Sequence, residues 1–227
     1  YNTNLWGCIM KSYKISNNNS ILLIVFVLVV SLLINVYTSI MNSRYKVLIG
    51  KETYKSVEEI RSRNEGVLNT LNQCIKARSI SNEELLTLYK SYSSISEEFT
   101  SLWANYRDYG KEEIISIKKK SKISKEIPNE VYSRIESLLF EYLSFEMKNH
   151  NEKIILDGET LDNFEAMSNM ATQLDEFYKE FNENKFKNVD QEKKELLTIK
   201  KDYWMDVLEG INSIMDQYLN YEFAIKN

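Results

Sequence analysis

Hydrophobic and polar residues are distributed in two different ways along this chain. From Ile21 to Met41 there is no alternation: the run carries no charge, no Pro and no Gly. At ~1.5 Å per helical residue such a run reaches about 30 Å, the thickness of a bilayer's hydrocarbon core. It predicts a transmembrane helix over 20–42, with a polar tail at 1–19 before it and a helical domain at 43–227 after it. Beyond the run, apolar residues recur three and four positions apart, the period of a helix buried on one face.

Five such stripes are legible. The first is Val57, Ile60, Val67, Leu71 and Cys74 or Ile75, interrupted by Asn64 and stopping near Ser79. Ser81 and Glu84 then have capping-box spacing, in which each side chain satisfies the other's exposed backbone N–H. The second stripe is Leu85, Leu88, Tyr92, Ile95, Phe99, Leu102, Tyr106 and Tyr109, with Gly110 expected to close the helix. Pro128 is expected to open the third, whose stripe is Val131, Ile135, Leu138, Tyr142 and Phe145. Asp157-Gly158 breaks the pattern before the fourth: Leu161, Phe164, Met167, Ala171, Leu174, Phe177, Tyr178 and Phe181. A polar loop is expected over Asn182–Asn188. The fifth stripe is Leu197, Trp204, Val207 or Leu208, Ile211, Ile214 or Met215, and Tyr218.

One Pro and six Gly among 227 residues leave few places to break a helix, and no period-2 run is long enough for a sheet. The expected fold is all-α: a single N-terminal transmembrane helix followed by a bundle of four to five long antiparallel helices. The three-four spacing favours shallow, coiled-coil-like crossings. The mild net charge of -4 argues against a nucleic-acid binder, which carries a basic excess. Lys outnumbers Arg and Asn and Ile are abundant, a compositional association with AT-rich bacterial genomes. The two cysteines, Cys8 and Cys74, flank the apolar run and would lie on opposite sides of a membrane, so they form no disulfide framework.

Met10-Lys11 reads as the natural start, because Met-Lys-Ser-Tyr-Lys ahead of an apolar run is a charged n-region. The run is longer than a cleaved signal's apolar core and no Ala-x-Ala follows it, so an uncleaved anchor is expected. Orientation pulls both ways. A strict count of Lys and Arg favours the C-terminal side as cytoplasmic, whereas the short basic leader resembles an export signal. The expectation adopted is an extracytoplasmic domain.

Candidate chemistry is sparse. Lys118, Lys119, Lys120, Lys122 and Lys125 cluster between the second and third stripes, in a loop expected to return to the bilayer surface. Such a cluster can hold anionic headgroups or anionic wall polymers; the competing reading is a solvated loop. No aromatic residues interleave these lysines, as a single-stranded nucleic-acid platform requires. The aromatic stripe of the second helix reads as core rather than a ligand cavity. His150, the only histidine, has Glu146 four positions before it, but neither a second Glu-x-x-His nor a Cys/His set accompanies it. No nucleophile elbow or phosphate-binding Gly loop occurs. The chain is therefore expected not to be an enzyme, and no cofactor is expected. Asn64 at a stripe position reads either as a solvated gap at the bundle's edge, the preferred reading, or as a polar residue that fixes helix register.

These features point to a membrane-anchored helical bundle that docks a protein partner or self-associates. The partners expected are the lipid bilayer and a protein, with no nucleic acid; nothing in the sequence supports a small-molecule ligand. One span followed by an extracytoplasmic helical bundle also resembles the sensor half of bacterial chemoreceptors and sensor kinases. That resemblance is architectural, carried by no motif, and implies a ligand-sensing module.

Overall fold

A computed structural model describes residues 17–113, 130–150 and 152–225. The described residues form six α-helices: α1 (Asn17–Ala77), α2 (Asn82–Glu113), α3 (Val131–Asn149), α4 (Gly158–Phe186), α5 (Gln191–Lys201) and α6 (Tyr203–Met215). A short 3-10 turn covers Asp216–Tyr218, and two three-residue strands, β1 (Ser79–Ser81) and β2 (Lys153–Ile155), complete the set. The chain divides into two compact units, 1–46 and 47–227. The fold is the expected all-α bundle with one long apolar helix near the N-terminus.

In the second unit the core stripe of α1 begins earlier than the sequence indicates, at Ile49, and continues through Val57, Ile60, Val67, Leu71 and Cys74. The missed turn holds Thr53, buried and polar. Its hydroxyl donates to the Ile49 and Gly50 carbonyls at 2.9 and 3.2 Å, so the helix itself satisfies it. Contacts across the core fix the directions of the helices. Tyr89 of α2 meets Phe140 of α3, while Phe99, further along α2, meets the earlier Tyr132. In α4, Ser168 bonds Asn72 and Tyr178 bonds Val57. Phe186 and Phe177 of α4 pair with Tyr203 and Gly210 of α6 respectively. Each pair is antiparallel.

The capping box forms as expected. The Ser81 N–H donates to Glu84 Oε2 at 2.8 Å, and the Glu84 N–H donates back to Ser81 Oγ at 3.3 Å. Five local expectations change. Three extended residues between α1 and α2 pair antiparallel with three between α3 and α4, Ile80 opposite Ile154. This ladder is too short to leave a period, yet it buries Ile80 and Leu156 at the helix ends. Gly110 does not end α2, which continues to Glu113; one helical glycine costs only about 1 kcal/mol. The expected loop at Asn182–Asn188 is mostly helix, because α4 runs to Phe186, whose buried ring packs on Phe181 and Tyr203. Phe145 is 57% exposed, and Glu146 takes the buried position on α3 instead. The fifth stripe is two helices. Asp202 adopts a left-handed backbone (φ 54°), capping α5 through its N–H to Thr198 O. That turn resets the phase, so Ile199 is buried before it and Trp204 after it.

Two glycines let helices approach. A Cβ on Gly50 would sit 2.7 Å from Ile199 Cγ2 of α5, and one on Gly210 would run into the Phe177 ring. The position of α5 over Gly50 is reinforced by Gln191 donating to Tyr54 Oη at 2.8 Å and by the Lys194–Glu58 ion pair at 3.3 Å. Burial beside Glu58 pushes the Tyr54 phenol up to about 12.

Candidate functional site

Three regions carry features that a bundle core does not need. The first is the apolar run in α1. Ile21–Val30 and most large apolar residues as far as Met41 are exposed, Leu22 by 74%. None of the most apolar window is buried, and it is long and apolar enough to cross a membrane. A soluble protein rarely leaves so large an apolar surface uncovered. Ser31, Asn35, Thr38 and Ser39 are the run's polar residues, and the Thr38 hydroxyl donates within the helix to Asn35 O at 3.0 Å.

The second region is a set of polar groups inside the bundle. Asn64, expected in a solvated gap, is buried at 4% exposure; its Nδ2 donates 2.9 Å to the Ala171 carbonyl of α4. This overturns the solvated-gap reading and is the placement that the register-fixing alternative requires, since a helix slid by one turn would strand a buried amide. Tyr92, Tyr132 and Tyr178 are buried, and desolvation pushes all three phenols well above their ordinary value. Tyr178 donates to Val57 O at 3.4 Å. The hydroxyls of Tyr92 and Tyr132 and the indole N–H of Trp103 have no hydrogen-bond partner among the described residues. Phe99 connects them, edge-on to Trp103 and to Tyr132. Glu146 Oε2 is likewise buried without a partner among those residues. Cys74 is buried, and desolvation raises its thiol to about 11, which makes it a weak nucleophile.

The third region is the non-helical segment after α6. Arg134 of α3 donates Nη1 to Tyr221 O at 3.0 Å and Nη2 to Tyr218 O at 3.1 Å. Asn163 of α4, 1% exposed, donates Nδ2 to Ala224 O at 3.1 Å and to Tyr142 Oη at 3.2 Å. Its Oδ1 accepts from Tyr221 Oη at 3.3 Å. Phe223 is buried under the Arg134 guanidinium, 6.0 Å from it, and 4.7 Å from the Tyr221 ring. Sequence periodicity gave no sign of this site, since Arg134 and Asn163 look like ordinary polar helix positions.

Lys118, Lys119, Lys120, Lys122 and Lys125 lie outside the described residues, as do Cys8, Met10 and Pro128. His150 is exposed, in a left-handed turn (φ 54°) that ends α3, while Glu146 faces inward, so the two do not form a shared surface. Among the described residues no group of three His, Cys, Asp or Glu side chains is placed to hold a metal ion. Trp103 and Trp204 are core residues, 3% and 1% exposed. Compared with known proteins, the chain matches no family model, and no curated protein or solved structure shows significant similarity to it.

Proposed function

We propose that this chain is a membrane-anchored interaction protein, in which residues 20–42 insert as an uncleaved anchor and the helical bundle docks a protein partner or a second copy. One observation carries the reading: a membrane-length window of α1 is fully exposed, while the helices from Ile49 onward bury an ordinary core. The anchoring half follows from hydrophobicity, since lipid is the one surrounding that makes uniform apolar exposure favourable. The docking half is an architectural reading of a helical bundle tethered by a single anchor. The bundle is extracytoplasmic in this proposal, because a short basic leader precedes the run.

The test pairs alkaline carbonate washing of isolated membranes with protease shaving of separate, sealed cells, both from cultures expressing the full chain with a C-terminal tag. Retention in the washed membranes supports the anchor. Loss of the tag from sealed cells supports the outward bundle; protection until lysis places it in the cytoplasm. Release of the chain by carbonate defeats the anchoring reading.

A second reading, ligand sensing, is favoured by the hydroxyls of Tyr92 and Tyr132 and the Trp103 N–H, which have no hydrogen-bond partner among the described residues. Buried polar groups are nearly always satisfied, so three in one aromatic cluster would suit a small hydrogen-bond acceptor. Screening acceptor-bearing aromatic compounds by thermal shift tests this. A stabilisation lost in Tyr132→Phe supports sensing, and indifference of that variant to every stabilising compound counts against it.

A further inference from the structure

We propose that segment 219–225 is an exchangeable strap: the α3–α4 groove that holds it within one chain also accepts the same segment from a second copy. The inference rests on the interaction-protein reading above and names the partner and the surface. Three features carry it.

First, the groove reads backbone. Arg134 and Asn163 reach the carbonyls of Tyr218, Tyr221 and Ala224 at 3.0 to 3.1 Å. Of these, the bonds to Tyr221 O and Ala224 O lie within the strap and are available to any copy of the segment that presents the same backbone. Second, the attachment is shallow. Phe223 is the one buried apolar anchor, whereas Leu219 and Ile225 are each 37% exposed. A segment with one anchor and solvent-facing flanks opens at far lower free energy than the global fold. Third, the strap adds a single residue, Phe223, to the buried core, and the turn at Asp216–Tyr218 separates it from α6, whose Trp204, Leu208, Ile211 and Met215 are each 1% exposed or less. Exchange therefore preserves every contact, and concentration alone sets its extent. Anchoring copies in one bilayer raises that concentration. The reciprocal exchange is self-complementary, so it closes as a two-fold dimer rather than extending into a filament.

The experiment uses the full chain in phosphatidylcholine–phosphatidylglycerol vesicles, with two copies distinguishable by mass. One copy carries a photoreactive residue at Ile225, and crosslinks to α3 or α4 are assigned within or between copies by mass spectrometry. Expected are crosslinks between copies that rise with protein density. Arg134→Ala in the accepting copy should lower them by about tenfold, the size expected for losing charged-donor hydrogen bonds. The same substitution in the donating copy should raise them, because it frees the strap from its own groove. Melting curves check that Arg134→Ala folds; if it does not, Arg134→Lys, which keeps charge but loses the fork, must show the same opposite signs. Crosslinks confined within copies at every density overturn the proposal, and so do crosslinks between copies that ignore which copy carries the substitution. Dimers that form without strap crosslinks overturn it too, while leaving the interaction-protein reading standing.

Discussion

The apolar run and the rest of α1 belong to one helix and follow opposite rules. Between Ile21 and Met41 nearly every position is apolar and every described side chain is exposed. Between Ile49 and Cys74 apolar residues occupy one face, and that face is buried to within a few per cent. Uniform hydrophobicity has no preferred direction, so it can be satisfied only by a surrounding that is apolar on all sides. Periodic hydrophobicity selects a face, and a partner helix can cover it. The same residue type therefore plays different physical parts. In the proposed anchor Val30 contributes to transfer into lipid, whereas Val67 is a piece of a close-packed core.

Placing one charge in each half separates the two rules most sharply, and has the largest expected effect. Val67→Arg puts an unpaired guanidinium where exposure is 1%. The desolvation penalty is several kcal/mol, comparable with the whole ~5–15 kcal/mol stability of a domain, so the bundle should not fold. Val30→Arg should leave the bundle's circular-dichroism melt unchanged and weaken membrane insertion by about 2.5–3.5 kcal/mol, read as chain released by carbonate. If Val30→Arg also melted the bundle, the two halves would not be obeying separate rules.

Alkaline pH probes the buried half alone. Tyr92, Tyr132 and Tyr178 have phenols raised by desolvation above the value near 10 that they take when unfolded. Below pH 10 both states keep the protons and the stability is complete. Above it only the unfolded chain releases them, so stability falls by roughly 1.4 kcal/mol per pH unit for each tyrosine, or about 4 for the three. Tyrosinate absorbance from these rings should appear together with unfolding between about pH 11 and 12. Gradual titration with the helix content intact would show that the rings are reached by water in the folded state.

How much of this was legible beforehand depends on what kind of signal each feature leaves. The run and the five stripes left strong periodic or compositional signals, and the structure places one residue of each stripe, Ile60, Leu88, Ile135, Phe164 and Ile211, in the core as the spacing implies. Features set by single backbone conformations left none. Asp202 adopts a left-handed turn although it is not glycine, and nothing before Trp204 announces it. The β1–β2 ladder depends on residues more than seventy positions apart. Asn64 was visible as an interruption, but its partner is the Ala171 carbonyl, which no side-chain pattern encodes. The Arg134–Asn163 clasp was invisible for the same reason. The lysine cluster was plain in the sequence and lies outside the described residues.

Asn64 tests whether a polar residue in a buried face is a cost or a specification. The Ala171 carbonyl also lies within α4, so Asn64→Leu removes a buried amide without creating a stranded acceptor. The expected change in stability is about 1 kcal/mol or less in either direction. The informative readout is register. Paired spin labels on the exposed positions Arg63 and Glu176 should give one distance in the native chain and a broadened distribution in Asn64→Leu. A single sharp distance in both would show that packing alone sets how α1 lies on α4.

The smallest effect comes from the place where the stripe slipped. The three-four spacing of α3 assigns Phe145 to the core, yet Phe145 is 57% exposed and Glu146 is buried at 4%. Counting forward from Leu138 and Tyr142, the next inward position lies three or four residues on, at Phe145 or Glu146. Hydrophobicity alone chooses the phenylalanine. A helix does not choose residue by residue: at a step of roughly 100°, the buried Tyr132 and Leu139 shift the centre of the inward face of α3 towards Glu146 and away from Phe145. Phe145→Ser should therefore change stability by no more than about 0.5 kcal/mol, as an exposed substitution does. Leu138→Ser, two turns earlier on the buried face, should cost at least about 3 kcal/mol, since it adds a buried hydroxyl to a cavity. Urea midpoints for the pair measure this contrast. A loss near 3 kcal/mol for Phe145→Ser would mean that its ring is covered in the assembled protein, marking it as part of an interface.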